Sequence, residues 1–599
     1  MRKTRVSIAL IELEVCRKIF LSIVLLCFAY TPTAFSAVEV IPETEEEYRT
    51  RMQWFDDARF GLFIHLGVYS TLGGQWKGKN AHGYAEWIQA NANITPEEYI
   101  PLAANFNPDN FDADKWISDA KKAGMEYMVI TTKHHDGFCL WDSEFTEYDT
   151  GEATKFDRDI LAELSRACKK YGIKFGTYYS TIDWHHPSQR AQKSHQYTKI
   201  KNKEDKAEYV KYMKAQLKEL IEKYDTEIMW FDGDWAHWWG MEDGIDLYNY
   251  LRKLKPTLII NNRVAKRGGF KKDFGTPENT TPGAALDHEW EACWTVNHSW
   301  GWKFSDQNWK STKQLIQKQI DINAKGGKLL LNVGPKPDGT WPEGCIQRLY
   351  NMGEWNDTYQ EAVYGSRFFF AWEQDWGRMV QVKNSTTDEG ALFAIVFDWP
   401  KKNRIEVKGV NFNTASCETY DGTSLKSSIE KGRLFISLPS TPIDENASVI
   451  RINYRGGIKE VVAVSGLDLK GDELILQAKS SRLPQGNFKL ENNSNIGYWS
   501  NPKDKAEWDV NIPAPGNYKV TLLYACPREA SGSDVRFEIN GQSLTSSVTA
   551  TKNWGDYQLM EMGILKLHEV GNTTCSVGFG EKKKSALMNL KMVILIPVE

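Results

Sequence analysis

The sequence is short of most features that would settle its function quickly. Beyond Tyr30 no apolar run is long enough to cross a bilayer, which takes about 20 residues. There is no HExxH, no CxxC and no Cys/His cluster with zinc spacing, so no motif supports a metal site and no metal or other cofactor is expected. No GxSxG elbow offers a serine nucleophile. Charge is nearly balanced, 74 Lys and Arg against 78 Asp and Glu, and no basic stripe makes a case for nucleic acid. Nine cysteines are scattered over the 599 residues without a framework. Cys16 and Cys27 fall near the start, and the remaining odd number reads as small buried side chains.

Aromatic residues are plentiful instead, at 12% with 23 Trp. Flat rings fill cores, and they also stack on the apolar faces of sugars. The N-terminus reads as an export signal: Arg17-Lys18 precede the apolar run Ile19 to Tyr30, and Ala34-Phe-Ser-Ala37 has the small-x-small form of a cleavage site. The expected destination is periplasmic, cell-surface or secreted. Cys27 follows Leu25-Leu26, a poor match to a lipid-attachment box.

The remaining chain is too long for one core. Short buried strands alternate with amphipathic helices over some 300 residues. Tyr127 to Thr132, Lys174 to Ser180, Ile228 to Phe231, Leu258 to Arg263 and Lys328 to Gly334 read as strands. Asp112 to Ala123, Ile160 to Tyr171, Glu204 to Tyr224, Ile245 to Lys255 and Trp309 to Ala324 read as helices. Such alternation predicts parallel β/α units closed into a (β/α)8-like barrel. From about Phe368 the period changes to 2, with Gly/Asn/Asp turns, which predicts antiparallel sandwiches. The expected divisions are a signal at 1–37, a barrel at 38–366, and two all-β sandwich domains at 367–457 and 458–599.

Chemistry-bearing residues cluster where the strands end. Ile228-Met-Trp-Phe runs into Asp232-Gly-Asp234, framed by Trp230 and Trp235. Gly61 to Ile64 delivers His65, Tyr127 to Thr132 delivers Lys133-His-His-Asp136, and Tyr84-Ala-Glu-Trp87 opens a predicted helix. Neighbouring residues on a strand point to opposite faces, so His134 and His135 do not readily grip one ion. Neutral imidazoles serving sugar hydroxyls fit better. Glycoside cleavage needs one carboxylate to attack or assist and a second carboxyl to protonate the leaving oxygen. Asp232 is the natural first; Glu278, Glu289 and Glu291 are candidates for the second, and spacing does not choose among them.

Phe63-Ile-His65, Thr132-Lys-His-His-Asp-Gly-Phe138, Phe175-Gly-Thr-Tyr-Tyr-Ser180, Trp230-Phe-Asp-Gly233, Asn262-Arg263, Trp290-Glu291 with Ser299-Trp-Gly301, and Leu331-Asn-Val-Gly-Pro-Lys-Pro-Asp-Gly339 together resemble the family 29 glycoside hydrolases, the retaining α-L-fucosidases. The resemblance spans roughly residues 45 to 365. It implies a β/α barrel followed by a β-sandwich, an exo-acting hydrolase of fucosylated oligosaccharides or glycoconjugates, Asp232 as nucleophile, and Glu278 as acid/base, with Glu291 where other members have had that role proposed. By the same resemblance His65, His134, His135, Tyr179 and Arg263 bind fucose hydroxyls or the nucleophile, and Glu86, Trp87 and Trp230 line the pocket. The chain departs from many members at Leu66, where they carry Trp, which bears on the pocket floor. The last domain, with Ala506 to Val520, is similar to jelly-roll carbohydrate-binding modules. Two alternatives keep parts of this reading: an α-L-galactosidase on the same scaffold, or a catalytically silent glycan-binding protein.

Overall fold

The computed structural model describes residues 38–189, 199–270, 272–283, 285–286, 288–460, 473–483, 488–491 and 495–598. The expected export signal and Cys27 lie outside the described residues. Among the described residues no helix is long and apolar enough to cross a membrane.

Helix α1 (Glu45–Asp57) starts at Thr44, whose hydroxyl accepts from Glu47 N while the Glu47 side chain returns to the Thr44 backbone, a capping box. Strand β1 (Phe60–Ile64) follows, then α2 (Ala113–Lys122), β2 (Tyr127–Lys133), α3 (Ile160–Tyr171), β3 (Lys174–Ser180), α4 (Lys203–Tyr224), β4 (Ile228–Asp232), α5 (Met241–Leu254), β5 (Ile259–Ile260), β6 (Glu291–Thr295), α6 (Thr312–Ala324), β7 (Lys328–Val333) and α7 (Glu343–Thr358). The seven strands pair in the order β5-β4-β3-β2-β1-β7-β6, all parallel. Residues 274–278 close the gap between β5 and β6 through single parallel bridges, Asn261 with Phe274, Gly275 with Trp290 and Glu278 with Cys293. The Thr276-Pro-Glu278 segment thus takes the place of an eighth strand, with almost no regular ladder of its own.

Side chains alternate between two cores. Phe63, Tyr127, Val129, Tyr178, Ile228, Trp230, Ile259, Phe274, Cys293 and Leu330 fill the barrel interior. Leu62, Met128, Ile130, Tyr179, Met229 and Phe231 pack outward in the larger helix-covered core. Both strand faces are buried, so no polar stripe marks the inner one.

Two antiparallel units follow. In the first, a sheet ordered Ser366–Arg367, Gly377–Val382, Glu389–Val396, Ser448–Glu460, Val410–Thr419, Ser424–Leu425 joins a three-stranded sheet of Arg404–Val407, Arg433–Ser437 and Ser427–Glu430. Met379, Leu392, Ile405, Leu434 and Ile450 fill the space inside. Phe393, Ile395 and Val449 face the other way and join the barrel's outer core. The Ser448–Glu460 strand runs past the expected division at 457. In the second unit, Asn589–Val598, Gly516–Ala525 and Gln558–Leu567 lie in one sheet and Lys505–Ile512, Gly571–Phe579, Asp534–Ile539 and Gln542–Ser547 form another, over Trp499, Trp508, Leu522 and Phe537. The seven cysteines from Cys139 onward are buried free thiols.

Candidate active site

A cavity of about 480 Å³ opens at the C-terminal ends of the barrel strands, the usual position for chemistry on this fold. Its lining includes His65, Glu86, Trp87, His134, Trp230, Asp232, Arg263 and Glu278. His65 follows β1, His134 and His135 follow β2, Asp232 ends β4, and Arg263 sits in a 3-10 turn after β5. The predicted Leu258 to Arg263 strand therefore stops at Ile260, because the turn Asn262–Val264 swings Arg263 inward.

Asp232 is the most heavily held group. Arg263 Nη1 donates to its Oδ1 at 2.8 Å and Tyr178 Oη to its Oδ2 at 3.1 Å. His135 Nε2 stands 3.7 Å from Oδ2, and Arg267 Nη2 3.8 Å from Oδ1. Burial pushes this carboxyl's pKa up, but the cations Arg263, foremost, and Arg267 outweigh it, and Asp232 is held below its ordinary value. Gly233 follows with φ +93, and a Cβ there would lie 2.5 Å from Thr181 Oγ1, so only glycine turns the chain away at this point.

Glu278 is the exposed partner. Arg263 Nη2 donates to its Oε2 at 2.9 Å while Arg263 Nε and Nη2 also hold Thr276 Oγ1 and O, and the guanidinium lies 4.6 Å from the Trp230 ring centroid. Glu291 is fully buried on the barrel axis instead. It accepts from Tyr127 Oη at 2.5 Å and Trp230 Nε1 at 2.9 Å, and burial raises its pKa to about 7. Glu289 pairs with Lys328 at the start of β7 and does not line the cavity. Asp234 pairs with Arg267 at the cavity mouth.

Tyr179 is a correction to the sequence reading. Its side chain points outward, and its hydroxyl donates to Gln216 Oε1 at 2.8 Å in the helix-covered core. Its neighbour Tyr178 has the inward position, lining the cavity and reaching Asp232. In a strand buried on both faces, two adjacent tyrosines cannot be told apart by pattern. Leu66, the departure noted above, packs in the outer core and does not line the cavity. Trp300 takes up wall space there, 5.3 Å from His65 between ring centroids. Trp235, 39% exposed, stacks on Trp87 at the mouth.

His65, His134 and the Glu86 carboxyl complete the wall, with His135 buried behind it beside Asp232. Burial lowers His65 to about 3 and His135 to about 4, and drives His134 well below its ordinary value, so all three are neutral at pH 7. His134 stacks on Tyr178 at an interplanar angle of 8°. Glu86 Oε2 accepts from Gly301 N at 2.9 Å, while Oε1 has no partner among the described residues; burial raises its pKa to about 8. Behind the His-His-Asp turn, Lys133 and Asp183 form a fully buried ion pair at 2.9 Å.

The sequence and the fold are similar to those of known proteins. The Alpha-L-fucosidase family profile covers residues 31–361. The chain belongs to the α-L-fucosidase family. It is 30% identical over 382 residues to the α-L-fucosidase of Dictyostelium discoideum, covering 58% of this chain and 78% of that one. To the human plasma α-L-fucosidase it is 30% identical over 395 residues, covering 62% and 82%. Among solved structures, an α-L-fucosidase from Bacteroides thetaiotaomicron, trapped as a covalent intermediate with 2-fluoro-fucosyl fluoride, aligns at a TM-score of 0.61 and 30% identity over 70% of this chain and 98% of that one. The α-L-fucosidase of Vibrio sp. strain EJY3 aligns at 0.63 and 25% identity over 94% of this chain and 99% of that one, so that likeness extends beyond the barrel. The protein is thus a glycoside hydrolase of the α-L-fucosidase family, built as a β/α barrel followed by antiparallel β units.

Proposed function

We propose that the protein is an exported, exo-acting α-L-fucosidase that removes terminal L-fucose from fucosylated oligosaccharides or glycoconjugates with net retention. Asp232 attacks the anomeric carbon as Glu278 protonates the leaving oxygen; Glu278 then takes a proton from water, which cleaves the fucosyl ester on Asp232. The observation that carries this reading is the position of Asp232: ionised, fixed on both oxygens by Arg263 and Tyr178, and joined through the same guanidinium to the exposed Glu278. Glu278 is preferred to Glu291 because a proton donor to a departing sugar must reach solvent-side atoms, and Glu291 is enclosed with both oxygens engaged. A closed end walled by Trp230, Trp300 and His65 suits one terminal sugar, and apolar rings suit its methyl group. Export is supported by the Arg17-Lys18, Ile19 to Tyr30 and Ala34 to Ala37 pattern.

The test is hydrolysis of 4-nitrophenyl α-L-fucoside and a panel of fucosylated oligosaccharides by wild type and Asp232→Ala. Wild-type turnover with α-L-fucose as the first anomer seen by proton NMR, and loss of several orders of magnitude in kcat for the variant, is the expected result. Near-wild-type turnover by Asp232→Ala removes the nucleophile assignment, and cleavage of α-L-galactosides alone replaces the substrate.

A further inference from the structure

His65 on the cavity wall and His135 behind it are each held in a way that places their protons. His65 Nδ1 lies 2.6 Å from Asn332 Oδ1. The same carboxamide donates from Nδ2 to Trp300 O at 2.7 Å, which fixes the end that faces the ring. A carboxamide oxygen only accepts, so His65 carries its proton on Nδ1. His135 Nδ1 lies 2.6 Å from Ser180 Oγ. That hydroxyl donates its single proton to Ile182 O at 2.8 Å and accepts from Ile182 N at 3.0 Å. It has a lone pair left for His135 and no proton, so His135 is also protonated on Nδ1. Both imidazoles are neutral, and in each Nε2 is an acceptor only.

This has a direct bearing on Asp232. His135 Nε2 and Asp232 Oδ2 face each other at 3.7 Å, two acceptors with no proton to share. In the other tautomer Nε2–H would point at the carboxylate, stabilise its charge and blunt it as a nucleophile. Resting on the reading of this cavity as the fucose site, we propose that Ser180 and Asn332 are positioning residues that set the tautomers of His135 and His65, so that His65 meets the sugar with a bare imidazole nitrogen and recognises a hydroxyl as a proton donor, and His135 is kept from capping the nucleophile.

The first test reads the tautomers in the wild type and uses variants for assignment alone. In wild-type protein labelled with ¹⁵N in the histidine rings, long-range ¹H–¹⁵N correlations at pH 7 are expected to show Nδ1–H for His65 and His135, assigned by loss of signals in His65→Gln and His135→Gln. An Nε2–H tautomer at either ring overturns the proposal. The second test uses L-fucose and its monodeoxy and monodeoxyfluoro analogues as competitive inhibitors of 4-nitrophenyl α-L-fucoside hydrolysis. Fluorine accepts weakly and cannot donate, so at the hydroxyl facing His65 the fluoro analogue should bind as poorly as the deoxy one, about 10-fold or more worse than L-fucose. Fluoro analogues that bind like L-fucose at every position overturn it. Ser180→Ala should lower kcat by about 10- to 100-fold with a smaller change in KM, and shift His135 toward Nε2–H; wild-type kcat with His135 in the swapped tautomer overturns it. Failure of the fucosidase reading itself would appear separately, as absence of wild-type hydrolysis and of inhibition by L-fucose, and leaves the ligand-free tautomers measurable.

Discussion

Asp232 and Glu278 share one guanidinium. Arg263 holds the first through Nη1 at 2.8 Å and the second through Nη2 at 2.9 Å, and its own Nε is fixed on Thr276 Oγ1 at 2.8 Å. On the proposed mechanism this arrangement changes during the cycle. While Asp232 is ionised, the guanidinium neutralises its charge and also holds the Glu278 carboxyl that gives up the proton. Once Asp232 is an ester its charge is gone, and Arg263 is left to stabilise Glu278 as the ionised base that the second step requires.

Arg263→Lys should therefore slow both halves of the reaction. A lysine ammonium is a point charge and cannot reproduce a planar fork spanning two acceptors. We expect kcat to fall by about 100-fold or more, with a 2,4-dinitrophenyl fucoside recovering only part of the loss, since a good leaving group relieves the first step alone. Full recovery with that substrate would confine Arg263 to the first step.

Exogenous azide separates the two glutamates. Glu278→Ala should be reactivated by azide with release of a fucosyl azide, because a small anion can enter where the base stood. Glu291→Ala should show no rescue. Its defect should instead be structural, about 1–3 kcal/mol in chemical denaturation, since Tyr127 Oη and Trp230 Nε1 would be left buried without their acceptor. Rescue of Glu291→Ala would reverse the assignment.

How far the sequence carried depends on whether a residue sits in a repeating pattern. Strands β2, β3 and β7 and helices α2 and α3 were legible within a residue or so, because buried runs and amphipathic helices have a period. Strand β6 was not, because its apolar run is only Ala292 to Trp294 and it opens on Glu291, whose reason for being there, the hydrogen bonds to Tyr127 and Trp230, comes from residues far away in sequence. The 274–278 closure had no period at all, and its place in the ring is set by three isolated bridges and by Arg263, which holds Thr276 and Glu278. Asp232 and His65 could be picked out as polar residues at abrupt strand ends. Ser180 and Asn332 could be quoted only as parts of motifs, since their work is done through the histidines they touch. In the sandwiches, Val410–Thr419 was missed because Asn411, Asn413 and Thr414 read as a turn, although its pairing with Ser448–Glu460 makes it a central strand.

The two tyrosines give a paired test. Tyr178→Phe removes a donor from Asp232 and should lower kcat by about 10-fold or more with little loss of stability. Tyr179→Phe removes a donor from Gln216 on α4 and should cost about 1 kcal/mol in unfolding with kcat nearly unchanged. The opposite pairing would place the wrong tyrosine in the site.

The Lys133–Asp183 pair supports the histidine turn from below. Asp183 Oδ1 accepts from His185 N at 3.0 Å and His186 N at 2.8 Å, and Tyr209 Oη lies 3.3 Å from Lys133 Nζ. Lys133→Met leaves a buried carboxylate without its cation and should cost about 3–5 kcal/mol. Burial opposes the charge on Asp183, but Lys133, His185 and His186 outweigh it and hold its pKa below the ordinary value. A carboxyl lowered on folding stabilises above its unfolded pKa, so this contribution is present at neutral pH and is lost as the pH falls below about 4. Denaturant midpoints measured from pH 7 down to pH 3 should therefore fall for the wild type and fall less for an Asp183→Asn variant.

Glu86 makes the opposite prediction at alkaline pH. Burial raises its pKa from 4.5 to about 8, so at pH 7 it is a neutral acid with Oε2 engaged by Gly301 N and Oε1 open. A neutral carboxyl can donate to a sugar hydroxyl; the ionised form cannot, and it adds a negative charge to a wall whose His65 nitrogen already accepts. Affinity for L-fucose should therefore weaken as the pH rises through about 8, seen as a rise in both KM and the inhibition constant of L-fucose. Glu86→Gln keeps a donor and cannot ionise, so its affinity should be flat over the same range and its midpoint in urea less dependent on pH. The sign for stability follows from the same shift: between 4.5 and about 8 the folded chain holds a proton that the unfolded chain releases, and stability drains away as the pH climbs. An alkaline rise in KM that persists unchanged in Glu86→Gln would assign the titration to another group.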